Sequence, residues 1–278
     1  MLFRSEMINW ENPLIAPYRQ QLLSTEKPVV RIKLSPANKS SLRRWDSKVG
    51  GAPYLPLGAE YPHTANGDPL TLLAQINFAQ TPPLENFPRQ GLLQFFIHSD
   101  DLYGCDLDNL LNNDGFRVIY HADVLEDDSL QQSDYPHYYG EEFGLPHNPE
   151  QSFAMSFEQG TQLVSCSDYR FAQILERYEG GKNENFWQIH SNEDLEYEIM
   201  ESFSGSHQIS GYPDFTQNDP REEHDELKDY ILLFQLQSEW EDGIEIIWGD
   251  LGVGGFFIHP DDLAKLDFSK VAYSWDCG

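Results

Sequence analysis

Two short stretches of the chain place metal-binding side-chain types at close spacing: His98-Ser-Asp100-Asp101 and His259-Pro-Asp261-Asp262. Imidazole nitrogen combined with carboxylate oxygen suits zinc, manganese or iron. His98, Asp100, Asp101, His259, Asp261 and Asp262 are therefore candidate ligands, for one shared ion or one each. The competing reading is local. Each motif follows a Phe-Phe-Ile run, and acids that open a turn or helix accept backbone N–H bonds and complement the helix dipole. A divalent metal is the one cofactor these residues admit; no other is expected.

Other chemistry-bearing residues are less specific. The acid-rich stretch 100–115 looks like a calcium loop, but aligning Gly115 with the EF-hand glycine puts Leu110 and His121 at ligand positions. Gln75 and Gln235 lie in apolar runs, where a buried amide must be hydrogen-bonded; they tie a loop backbone or contact a ligand. Gly249 to Gly255 is glycine-rich but leads into Phe256-Phe-Ile, so it reads as a hairpin or bulge and not as a phosphate cradle. Trp248 and Asp250 beside it line a pocket, or fill the core and cap a turn. Tyr135-Pro-His137-Tyr138-Tyr has the composition of a contact loop, aromatic anchors near charge. No GxSxG elbow is present, and Cys105, Cys166 and Cys277 are isolated, with neither a disulfide framework nor a zinc knuckle in prospect. Nothing here names a reaction.

The charge is extreme: 46 Asp and Glu against 18 Lys and Arg, a formal net of -28. It is also uneven, with a net of +5 over residues 1–48 and -33 over the rest. Phosphate-backbone binding needs a basic surface, so nucleic acid is not an expected partner, and neither is an anionic membrane. A basic protein partner fits better. No apolar run approaches the length of a membrane span, and the first residues lack a signal-peptide core. A cytoplasmic setting is expected.

The elements that must position these residues read mostly as strands. Val30, Ile32 and Leu34 alternate with Arg31 and Lys33. Residues 70–78, 91–98, 116–121, 153–157, 230–237, 244–248, 253–258 and 271–275 read as further strands. Helices are expected at 11–24, after Asp168, at 192–203 and at 261–266. Residues 47–56 read as a rigid turn-rich loop, and 126–150 as a long connecting loop.

Gly91-Leu-Leu-Gln-Phe-Phe-Ile-His-Ser-Asp-Asp-Leu102 reappears as Gly252-Val-Gly-Gly-Phe-Phe-Ile-His-Pro-Asp-Asp-Leu263. Leu72-Leu73-x-Gln75 matches Leu232-Leu233-x-Gln235, and Gly51-x-Pro53 matches Gly211-x-Pro213. These matches predict an internal duplication. The halves would span about 28–125 and 151–278, joined by the acidic and aromatic loop 126–150 and packed with pseudo-twofold symmetry. The expected class is α+β with strands dominating.

Ser47-Lys-Val-Gly-Gly-Ala-Pro-Tyr-Leu-Pro56, Pro69-Leu-Thr-Leu-Leu-Ala-Gln-Ile-Asn77 and Gly91-Leu-Leu-Gln-Phe-Phe-Ile97 together resemble the YwqG-like family of bacterial proteins. Ser210-Gly-Tyr-Pro-Asp-Phe-Thr-Gln217, Ile247-Trp-Gly-Asp250, Phe256-Phe-Ile258 and Asp262-Leu263 extend the match. The resemblance covers about residues 28–278 and implies a single YwqG-like domain over 1–278 with a duplicated, strand-rich α+β fold. It implies no agreed activity and no catalytic residues, and it suggests an immunity-type role. The sequence therefore favours a non-enzymatic binding protein for a basic protein partner. The alternatives are a metal-dependent enzyme using the His-x-Asp-Asp pairs, or a small-molecule binder between the halves.

Overall fold

The computed structural model describes residues 9–13, 15–38, 41–136, 144–176 and 205–278. Its framework is ten antiparallel strands in one sheet. In chain order they are β1 (Lys27–Ala37), β2 (Lys48–Gly50), β3 (Thr71–Asn77), β4 (Leu92–Ile97) and β5 (Phe116–His121). They continue as β6 (Ser152–Gln162), β7 (Gln208–Ser210), β8 (Ile231–Gln237), β9 (Val253–Ile258) and β10 (Ala272–Asp276). The spatial order is β10-β9-β8-β7-β1-β6-β2-β3-β4-β5.

The alternation in β1 works as its sequence demands. Val30, Ile32 and Leu34 are buried while Lys33 is exposed, because successive side chains point to opposite faces. β1 pairs with β6 along eleven residues, from Lys27 opposite Gln162 to Ala37 opposite Ser152, and this pair forms the middle of the sheet. The two arms curl toward each other. Phe95 of β4 packs on Phe234 of β8 and Phe256 of β9, with ring centroids 4.7 and 4.8 Å apart. Phe116 of β5 meets Tyr273 of β10 at 5.3 Å. The loop after β4 completes the approach: Tyr273 donates its backbone N–H to the Leu110 carbonyl, and Trp275 Nε1 donates to the Leu102 carbonyl. The result is a nearly closed, barrel-like sheet around one continuous aromatic and aliphatic core.

Two expectations are overturned. The class is not α+β. The described α-helical residues are few, α1 (Arg19–Leu23), α2 (Arg170–Glu176) and α3 (Pro260–Ala264), beside a sheet that carries the architecture. The internal duplication, with two halves packed against each other, is also not shown. β1 sits between β6 and β7, and β6 sits between β1 and β2, so strands from before and after the connecting loop intercalate in one sheet. Among the described residues, strands from both proposed halves share one sheet.

Smaller differences follow from local physics. The expected helix 11–24 is a 3-10 turn at Ala16–Tyr18 followed by the five residues of α1. The expected strand 244–248 makes only isolated bridges from Ile246, to His147 and to Glu239. The helix expected at 192–203 lies outside the described residues. Glycine within β9 is needed for packing, since a Cβ on Gly254 would lie 2.4 Å from the Trp248 ring.

Candidate functional site

The two His-x-Asp-Asp motifs are not brought together. The loop carrying His98 docks against the Trp275 end of β10, which pairs with the start of β9, whereas His259 follows the end of β9. Each motif serves its own turn. His98 Nδ1 lies 2.8 Å from Asp100 Oδ2, and Asp100 Oδ1 accepts the backbone N–H of Leu102 and Gly104. His259 Nδ1 accepts the backbone N–H of Asp261 and caps α3, with Asp261 and Asp262 in its first turn. Asp101 is exposed. Among the described residues no group of three or more His, Cys, Asp or Glu side chains could hold a metal ion.

Gln75 and Gln235 are fully buried, and both tie down loop backbone. Gln235 accepts from the Asp214 N–H and donates to the Ser206 carbonyl. Gln75 accepts from the Tyr54 N–H and donates to the carbonyls of Arg44 and Asp46. Trp248 is core, packed on Tyr103 and Trp275. Asp250 is exposed on the turn before β9. Tyr135 stacks at 6.0 Å on Tyr61. His137 and Tyr138 lie outside the described residues.

The Gln75 contacts lead to the site that the residue types alone did not reveal. The segment 43–48 is fastened to β3 by side chains: Asn77 Nδ2 donates to the Trp45 carbonyl, Ser47 Oγ accepts the Asn77 N–H, and Gln80 Oε1 accepts the Ser47 N–H. Beside this segment opens a cleft of about 530 Å³. Arg44, Lys48, Gly51, Tyr61, Tyr135 and Glu150 are among the residues that line it, with Asp128 at its rim. The size lies within the usual range for small-molecule sites.

The electrostatics of this cleft differ from those of the rest of the chain. Arg43 is spent on Asp46, with its Nη2 3.0 Å from Oδ1. Arg44 and Lys48 have no carboxylate within ion-pair distance among the described residues. The Arg44 guanidinium lies 5.4 Å from the centre of the Tyr135 ring and donates one N–H to the Pro53 carbonyl. Lys48 is 3% exposed and donates from Nζ to the carbonyls of Arg43 and Arg44. Burial, with the neighbouring Arg44 charge, lowers its pKa to about 7.

The turn that ends β2, whose Gly51 lines the cleft, requires glycine. Gly50 and Gly51 have φ of +64° and +69°, and a Cβ on Gly51 would lie 2.1 Å from Ser152 Oγ. Beneath Gly50 the His147 ring is buried, and neither ring nitrogen has a well-formed hydrogen-bond partner. Burial holds its pKa below the usual imidazole value, so the ring is neutral.

A second cluster is fully packed. Arg221 Nη2 lies 2.9 Å from Asp168 and 2.6 Å from Asp219, and Arg170 caps the other side of Asp168. Burial works against the Asp168 charge, but hydrogen bonds and charge from Arg170 and Arg221 outweigh it and hold the carboxyl below its usual range. Here every charge has its partner, which is the arrangement of a structural network.

A barrel-like antiparallel sheet with a polar cleft at its side is thus the class of protein these observations define. The chain belongs to the family described as domain of unknown function DUF1963, whose model matches residues 47–277. The YwqG-like resemblance is consistent with this family, though the family description does not carry that name. No curated protein matches the chain. Among the described residues no helix is long and apolar enough to cross a membrane.

Proposed function

We propose that this protein acts by binding and not by catalysis, and that it takes its ligand in the cleft beside β2. The carrying observation is the pair of cations, Arg44 and Lys48, that face a formed cavity with no carboxylate partner, in a chain where acids outnumber bases 46 to 18. Arg44 is partly buried and has no ion-pair partner among the described residues, and Lys48 has a pKa of about 7, so a negatively charged ligand group would pair the guanidinium and favour the ammonium form of the lysine. The test is thermal unfolding of the protein against a panel of small metabolites of either charge. A ligand should raise the melting temperature, and Ala52→Trp, which fills the cleft, should abolish that rise without unfolding the protein. A ligand effect that survives Ala52→Trp would place binding elsewhere.

A second reading has its own observation. Residues 49–278 carry a net of -33, which favours sequestering a basic protein partner, the immunity-type role that the family resemblance suggested. Capture by the tagged protein at low salt, with release at high salt, supports it. The metal-dependent enzyme reading gains no comparable support, because the two His-x-Asp-Asp motifs lie apart.

A further inference from the structure

We infer that the cleft recognises a carboxylate group, held between the Arg44 guanidinium and the Lys48 ammonium. This rests on the cleft reading and deepens it. Three observations converge. The first is the geometry of the cations. Arg44 is held by the Tyr135 ring and by Pro53, and Lys48 by the backbone of residues 43 and 44, so both heads are set before any ligand arrives. A planar guanidinium fork with fixed orientation suits a carboxylate, and preorganisation removes the ordering cost.

The second is the charge balance. With Arg43 neutralised by Asp46, Arg44 and Lys48 are matched in formal charge by Asp128 and Glu150 in the cleft lining, so the lining carries no positive surplus that would call for a dianion. That lining suits a single negative charge better than a phosphate dianion. The third is size. About 530 Å³ is far more than a carboxylate fills, so the anion is one end of a larger molecule. Two sources supply such a group, a small organic acid or the C-terminus of a short peptide.

The proton on Lys48 gives a signature that a merely structural lysine would lack. The charged groups facing it are Arg44, Arg43 and Asp46 on its own segment, and Asp128 and Glu150 across the cleft. The β3 and β6 residues opposite it are Gln75 and Ala154, which do not titrate. His147, beneath Gly50, is neutral. A bound carboxylate favours protonated Lys48. Affinity is therefore full below the free-state pKa of about 7 and falls as pH rises above it.

The experiment is isothermal titration of the intact protein with four probes: hexanoate, acetyl-trialanine, its C-terminal amide, and phenyl phosphate. Hexanoate or the free-acid peptide should bind, and which of them binds identifies the source. The amide should bind at least tenfold more weakly than the acid, and Arg44→Gln should cost at least tenfold. Arg89→Gln, which removes an exposed charge elsewhere, should change nothing. Affinity should fall about tenfold between about pH 6 and pH 8.5, and Lys48→Met should flatten that slope.

Equal binding of acid and amide, both abolished by Ala52→Trp, overturns the carboxylate assignment and leaves the cleft reading intact. Tighter binding of phenyl phosphate than of either acid overturns it in favour of phosphate. Absence of any acid binding up to about 10 mM, a free energy near 3 kcal/mol, also overturns it. If the panel of either charge fails as well, the cleft reading falls with it.

Discussion

His147 is the residue whose chemistry is least reconciled with its surroundings. It is 4% exposed, its ring nitrogens lack good partners, and it lies against Gly50 at the end of β2. Burial depresses its pKa below the usual imidazole value. The unfolded chain therefore takes up a proton first as pH falls. His147 costs nothing above about pH 6.5 and destabilises the fold below it, by at most about 1.4 kcal/mol per pH unit. Denaturant unfolding between about pH 7.5 and pH 5 should show a steeper loss in the native protein than in His147→Met, whose flexible side chain can fill the same space. Equal slopes would mean that other groups carry the acid sensitivity.

The shortest strand of the cleft wall is β2, and it ends where two left-handed glycines turn the chain under Ser152. Gly51→Ala should cost about 2–4 kcal/mol, part from the left-handed backbone and part from overlap with Ser152 Oγ. Adding Ser152→Gly should recover the overlap but not the backbone cost. Denaturant midpoints of the three proteins measure both parts, and an unchanged midpoint in Gly51→Ala would refute the account. Legibility in the sequence varied element by element for physical reasons. β1, β3, β4, β5, β8, β9 and β10 were readable because apolar runs or alternation fit one strand each. β7 was not, because Gln208–Ser210 is three residues long and two of them are polar. The arrangement as two packed halves was misread because strand order is a nonlocal property: nothing in residues 27–37 says that their partners are 152–162 and 208–210. The cleft left one trace, the concentration of Arg43, Arg44 and Lys48 just before Gly50-Gly51 in an otherwise acidic chain. Each of those residues is ordinary alone, so the trace names no site by itself.

For the molecule as a whole, a formal charge of -28 on 278 residues means self-repulsion in the compact state. Raising sodium chloride from about 20 mM to about 0.5 M should stabilise the fold by about 1 kcal/mol or more, because the Debye length shrinks from about 20 Å to about 4 Å. A lower unfolding midpoint at high salt would show that specific ion pairs outweigh the net repulsion. The position of β1 has a different consequence, for the order of events on the ribosome. Of the described strands β1 is made first and lies in the middle of the sheet, yet its pairing partners begin at Ser152 and Gln208. At roughly 5–20 residues per second, it waits on the order of ten seconds with both edges bare. Arg31 and Lys33, interleaved with Val30, Ile32 and Leu34, give the nascent strand a charge that discourages pairing with a neighbouring chain until its own partners emerge.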